Sequence, residues 1–285
     1  MNRKALWILA VALPGTASAQ ELSWESNEVA PGIYMFEGQG GFTGGNLGLF
    51  VGEDGIVLID DGIPEVSAAT LAAVEAVIGA PPDFLINTHA HNDHTGSNDE
   101  YRDMGTTVLA HDKLRQTLVD DESFPRSGLP ELTFNDSMTF HLNGQTAYIF
   151  HIPSAHTSGD SAIHFTEANV LHTGDVLFNT IFPFIDIDGG GSVDGFIAGQ
   201  QRMLSMIDDD TVVIPGHGPI GDKAALKAAL DMLVDAQSRV QALVDDGMTL
   251  DQVKAANPLA PYESWSWGFI TTERMTETLY RAATE

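Results

Sequence analysis

Residues 88–98 read Thr88-His89-Ala90-His91-Asn92-Asp93-His94-Thr95-Gly96-Ser97-Asn98, with three histidines and one aspartate inside six consecutive positions. A helix presents ligands three or four residues apart on one face, and His89, His91, Asp93 and His94 keep no such period. They are expected on a loop, where alternate side chains can converge on one point while their neighbours face another. The preceding run Phe84-Leu85-Ile86-Asn87, introduced by Pro81-Pro82, reads as a short buried strand. That puts the cluster at a strand's C-terminal end, where open α/β sheets place their ligands. Imidazole beside carboxylate is a donor set that suits zinc.

Three further strand ends carry the same chemistry: Ile152-Pro153-Ser154-Ala155-His156, Leu171-His172-Thr173-Gly174-Asp175 and Ile214-Pro215-Gly216-His217. Around them the periodicity predicts strands at 32–36, 46–51 and 55–60, with Glu53-Asp54-Gly55 as a hairpin turn, and a helix over 66–78 stopped by Gly79. A strand at 107–110 and a helix over 112–119 follow the histidine loop. The second half repeats the design, with strands at 137–142, 146–152, 162–165, 170–172 and 211–214, helices over 194–207 and 223–244, and a final docking helix over 271–283. Two similar halves of strands with outer helices imply an α/β fold of two packed sheets between helical layers.

Of 285 residues 43% are hydrophobic, enough for one sizeable core, so residues 21–285 are expected to form a single domain ending in helices. Forty acidic residues against 13 basic give a net charge of -27, which makes nucleic acid and anionic membrane surfaces poor partners. The start, MNRKALWILAVALPGTASAQ, has Arg3 and Lys4, an apolar run from Ala5 to Leu13, a Pro14-Gly15 break and Ala17-Ser18-Ala19. It reads as a secretory signal peptide, residues 1–19, with an apolar run too short to span a bilayer. With no cysteine in the chain there is no lipid-modified cysteine, disulfide or thiolate ligand. The expected product is periplasmic or secreted, with no membrane anchor after signal cleavage.

The ordered set His89-x-His91-x-Asp93-His94, then His156, Asp175 and His217, resembles the ligand set of the metallo-β-lactamase-fold hydrolases over roughly residues 21–219. The resemblance implies a four-layer αββα sandwich and two metal ions, most often zinc, with iron or manganese as alternatives. It implies that His89, His91 and His156 hold the first, Asp93, His94 and His217 the second, and that Asp175 bridges. Seven donors are also more than one tetrahedral zinc takes. Asp60, in Leu58-Ile59-Asp60-Asp61-Gly62, matches an aspartate that is structural in that family. The implied reaction is attack of a metal-bridging hydroxide on the carbonyl of an ester, lactone, thioester or amide, with Asp93 as the catalytic residue that orients it or takes its proton.

Asp175 stands where one β-lactamase branch has cysteine, a pattern similar to the glyoxalase II and lactonase branches. Val176-Leu177-Phe178-Asn179-Thr180 supplies no cation before Arg202, so a β-lactam would need another anchor, and no basic C-terminal surface offers itself to a glutathione thioester. A second class is a non-hydrolytic metal protein, either an iron oxidoreductase-type site or a zinc accessory factor of a periplasmic redox system. Residues 178–192, FNTIFPFIDIDGGGS, read as a mobile apolar flap over the cleft, so a small-molecule substrate is expected to be partly apolar. Asp186, Asp188 and Asp194 lack the glycine and terminal glutamate of an EF-hand calcium loop. His151 and His172 are candidate donors to the ligands, and the alternation of Trp265 and Trp267 suggests a strand or extended segment packed on the body.

Overall fold

The computed structural model describes residues 22–285, and the signal peptide read at residues 1–19 lies outside the described residues. The first sheet takes β1 (Ser23–Ala30), β2 (Ile33–Gln39), β3 (Leu47–Gly52), β4 (Gly55–Ile59), β5 (Phe84–Ile86), β6 (Thr107–His111) and β7 (Leu132–Phe134) in chain order. The strands β1 to β4 pair antiparallel, and β4 to β7 pair parallel. The second sheet runs β13 (Gly221–Asp222), β12 (Val212–Ile214), β11 (Val170–His172), β10 (Asp160–Phe165), β9 (Gln145–Ile152) and β8 (Ser137–Leu142).

Side-chain alternation along the strands explains the layering, because successive residues face opposite sides of a sheet. Ile33, Met35, Val57 and Ile59 point inward and meet Ile149, Ile163, Phe165 and Ile214 of the second sheet in one buried cluster. The alternate residues Phe36, Leu47, Leu49 and Leu58 face outward, against Val74 of α1 (Ser67–Ile78) and Tyr101 of α3 (Asn98–Asp103), α2 (Asn92–Thr95) lying between these two helices in the chain. Beyond β6 comes α4 (Asp112–Asp120). The second sheet's outer face is covered by α5 (Val193–Met206), α6 (Lys223–Asp245), α7 (Leu250–Ala256) and α8 (Thr272–Thr284), through Phe196, Leu233, Val253 and Leu279 among others. The result is the expected αββα order. Among the described residues no helix is long and apolar enough to cross a membrane.

Two local expectations are corrected. Asp93 and His94 lie on α2, a single turn of helix, and not on open loop like His89 and His91. One turn has too few residues to show a period. Trp265 ends a 3-10 turn (Ala260–Trp265), and Trp267 follows in a loop tied back by Trp267 N–H to Ile270 O at 3.0 Å, so neither belongs to a strand.

Candidate metal centre

Strands β4, β5, β9, β11 and β12 all point their C-terminal ends to one edge of the sandwich, and the seven predicted ligands sit on the segments that leave them. His89 and His91 follow β5, His156 follows β9, Asp175 follows β11 and His217 follows β12. Tight turns hold them there. A Cβ on Gly216 would lie 2.0 Å from Asp175 Oδ1, and one on Gly45 would lie 2.1 Å from His94 Cε1, so only glycine lets these backbones close in.

The side chains converge on Asp175. Its Oδ2 lies 3.3 Å from His217 Nε2, 3.4 Å from His156 Nε2 and 3.8 Å from His89 Nε2, while its Oδ1 lies 3.1 Å from His94 Nε2. Asp93 Oδ2 completes the second half, 3.3 Å from His217 Nε2 and 3.6 Å from His94 Nε2. Three clusters of mutually close donor atoms result: His89, His91 and His156; His89, Asp93 and His94; and His94, Asp175 and His217.

The imidazoles are oriented from behind. His94 Nδ1 donates to Asp60 Oδ2 at 2.8 Å, and His91 Nε2 to Asp186 Oδ2 at 3.0 Å. His156 Nδ1 donates to the Phe184 carbonyl at 2.7 Å. Thr88 Oγ1 donates to Asp60 Oδ2 at 2.7 Å and so accepts from His89 Nδ1 at 3.1 Å. Since each of these partners accepts, the proton is fixed on the outer nitrogen and a lone pair is left facing inward. Asp60 achieves its double contact from a left-handed backbone, φ 60°, which aspartate tolerates better than most residues.

This wiring tests whether a metal fits. His91 Nδ1 and His156 Nε2 face each other at 2.8 Å, both as lone pairs, which is repulsive unless a cation or an extra proton stands between. His89 Nε2, His94 Nε2 and Asp175 Oδ1 are buried with no hydrogen-bond partner. Buried polar atoms are otherwise almost always paired. Charge makes the same demand. Burial pushes the His89 imidazole far down and His156 down to about 4, leaving both neutral. Burial also opposes charge on His94 and His217, yet the Asp175 carboxylate overrides it, raising His94 and lifting His217 to about 9. The carboxylates therefore draw protons where no other cation neutralises them. The donor set fits metal binding, and His89, His91 and His156 fall together as the family resemblance implies for one ion.

Over these groups lies a cavity of about 410 Å³ lined by Phe42, Ile63, Phe178, Phe184, Trp267 and Phe269 on its apolar side. Phe178 stacks on the His217 ring at 4.9 Å and Phe184 on His91 at 5.6 Å. The 178–192 segment expected as a mobile flap is instead stitched down: Asp186 N donates to His156 O, Gly191 N to Asp186 O and Ser192 N to Ala155 O. Its glycines serve close approach, since a Cβ on Gly191 would lie 2.3 Å from His156 O.

Neither His151 nor His172 hydrogen-bonds a ligand; His151 Nδ1 contacts Asp160 O, and His172 Nδ1 accepts from Gly174 N. The orienting groups are Asp60, Thr88, Asp186 and the Phe184 carbonyl. Of these only Asp60 carries a signal in the sequence, its strand-end position. The aspartates of 186–194 give no calcium loop: Asp186 is taken by His91, Asp188 by Arg281 and Asp194 by Gln237.

Sandwich and donor set together describe a two-sheet fold with a metal-binding edge. The profile of the metallo-beta-lactamase superfamily matches residues 40–217, and the chain belongs to that superfamily. It is 29% identical over 182 residues to a hydroxyacylglutathione hydrolase of Polaromonas sp., a match spanning 57% of this chain and only 64% of that protein. It is 29% identical over 150 residues to a hydroxyacylglutathione hydrolase of Haemophilus influenzae, spanning 47% of this chain and 68% of that one. A metallo-beta-lactamase from Pontibacter korlensis superposes with a TM-score of 0.64 at 20% identity, over 75% of this chain and 100% of that structure.

Proposed function

We propose that the chain is a periplasmic dinuclear zinc hydrolase acting on the carbonyl of an ester, lactone, thioester or amide, with a partly apolar small-molecule substrate. His89, His91 and His156 would hold one ion, Asp93, His94 and His217 the other, and Asp175 would lie between them. Bound zinc lowers the pKa of a coordinated water towards neutrality and polarises a carbonyl oxygen. The observation that carries this reading is the pair of opposed lone pairs on His91 and His156 beside three unpartnered buried donor atoms. A hydrolase superfamily and an apolar cavity over the donors support the rest. The signal-like start supports export.

Within the cavity the chain's own groups divide the labour. Burial works against charge on Asp93, but His94 and a hydrogen bond from His217 hold its carboxyl down at about 2. It is ionised at any working pH and can accept a proton at Oδ2. The aromatic rings take the apolar part of the substrate and keep bulk water from the reacting carbonyl.

The test is turnover of a panel of nitrophenyl esters, lactones, thioesters and a chromogenic cephalosporin by the zinc-loaded protein. Activity on at least one class is expected, lost on chelation and restored by zinc. Asp93→Asn should lower kcat by about 10² to 10⁴ with metal still bound. Full activity of that variant would remove Asp93 from its role.

A further inference from the structure

The outer side of the aromatic wall carries a cation. Arg274, exposed in the first turn of α8, sets its guanidinium carbon 3.9 Å from the centre of the Phe269 ring and 5.7 Å from that of Phe184. Both rings line the metal cavity. Its Nη1 donates to the Phe269 carbonyl at 3.0 Å, and among the described residues no carboxylate pairs with it. The neighbouring acids are engaged elsewhere: Asp186 with His91, Asp188 with Arg281, and Glu273 and Glu277 with Lys254. An arginine in the first turn of a helix also sits at the wrong end of the helix dipole. Few arginines are available to a chain with 13 basic residues against 40 acidic ones, so one left with free donors beside the cavity calls for an explanation.

Contact with both rings limits the reach of this group. The Phe269 ring and the Phe269 carbonyl hold the guanidinium beside the wall, which lowers the cost of ordering it on a carboxylate. His91 lies 5.6 Å from Phe184 and Phe184 lies 5.7 Å from the guanidinium carbon, which places Arg274 within about 11 Å of the His91 ring. A groove of about 560 Å³ bounded by Phe184 and Arg274 adjoins the metal cavity across that shared phenylalanine.

We propose that Arg274 is a specificity-determining anchor for a carboxylate on the substrate. The inference rests on the hydrolase reading and names the substrate class: an acyl compound with the scissile carbonyl at the metal centre, an apolar spacer along Phe184 and Phe269, and a terminal carboxylate on Arg274. It supplies the cation that residues 176–180 lack.

Two nitrophenyl monoesters of the same six-carbon diacid test it, one with its far carboxylate free and one with it methylated. The zinc-loaded protein should favour the free acid in kcat/KM by about tenfold, the scale of a charge-assisted contact at a partly exposed site, with the difference in KM and not in kcat. Arg274→Met should abolish that ratio, Arg274→Lys should keep part of it, and raised salt should weaken it. Equal kcat/KM for the two esters in the unaltered protein, or the same ratio in Arg274→Met, would overturn the anchor. Calorimetric binding of the free diacid, compared between the unaltered protein and Arg274→Met, separates the two readings. Binding that depends on Arg274 without turnover of either ester would sink the ester-hydrolase reading and keep the anchor, while binding indifferent to Arg274 would sink the anchor alone.

Discussion

Replacing Asp186 by asparagine should invert the hydrogen-bond logic of one half of the centre. Asp186 accepts twice, from His91 Nε2 at 3.0 Å through Oδ2 and from Gly189 N at 2.9 Å through Oδ1. The hydrogen bond from His91 is the main cause holding its carboxyl below the usual range, so both oxygens are acceptors at working pH. Asparagine has one acceptor oxygen. If that oxygen keeps Gly189, its amino group faces His91 Nε2 and selects the tautomer protonated on Nδ1. That proton then fills the 2.8 Å gap to His156 Nε2, so the centre satisfies itself where a metal ion would otherwise be needed. Disturbing a group that orients a metal-binding histidine costs about ten- to a hundredfold in affinity, about 1.4 to 2.8 kcal/mol. The loss should fall on the ion that His89, His91 and His156 would hold, and leave a second one nearly unchanged. Competition against a chromophoric chelator reads the two affinities, and ¹⁵N imidazole spectra of the metal-free protein read the tautomer. Asp186→Ala removes the acceptor without imposing the wrong tautomer and should lose less. The reasoning is refuted if Asp186→Asn binds its first zinc as tightly as the unaltered protein, or if alanine proves worse than asparagine.

Two further outcomes follow from packing and burial. Gly216→Ala would set a Cβ 2.0 Å from Asp175 Oδ1 and 2.7 Å from the Gly174 backbone, so it should cost about 2 kcal/mol in urea unfolding and abolish binding of the second zinc. Gly268→Ala, whose Cβ meets nothing within 4 Å, should change stability by under about 0.5 kcal/mol, and equal effects from the two would refute the crowding argument. A second pair of histidines, His111 and His151, stacks with ring centres 3.6 Å apart. Burial lowers both, His151 to about 4, with His111, Lys113 and Arg202 adding to the effect on His151. Because the folded value lies below the ordinary one, the unfolded chain binds the proton first. Stability is then complete above about pH 6.5 and is lost as pH falls towards 4. Discounted for the half-buried ring, the unaltered protein should lose about 1 kcal/mol more than His151→Gln between about pH 7 and pH 5, and parallel curves would remove His151 from the acid response.

The fold was legible because its signals are local. Apolar runs such as Ile56-Val57-Leu58-Ile59, glycine stops such as Gly79 and the long apolar period of 223–244 each declare an element without reference to the rest of the chain. Some elements were not legible: the eight mostly exposed residues of β1, the three of β7 and the four of α2 owe their form to the neighbours they pair with or cap. The donor set was legible for a chemical reason, since histidines and aspartates at successive strand ends are improbable without a common target. The groups that orient those donors were not. The Phe184 carbonyl has no sequence signature, and Asp186 meets His91 across 95 positions.

The residues around the cavity show why chemistry and specificity separate along this chain. Every predicted ligand falls inside the stretch matched by the superfamily, residues 40–217. Trp267, Phe269 and Arg274 lie beyond it, on a segment tied to the centre where Phe182 N donates to Trp265 O at 2.8 Å and Trp267 Nε1 donates to Phe182 O at 2.9 Å. Those two bonds make the wall part of the 178–192 segment, and that segment's Phe184 carbonyl orients His156. A change in the C-terminal segment can therefore reach the centre through Phe182 to Phe184, besides the direct contacts of Trp267 with His217 and of Phe269 with Phe184. Exchange of Phe269 for another apolar residue keeps both of those bonds and reshapes the cavity alone, so substrate choice can vary while the arrangement of the seven donors is kept.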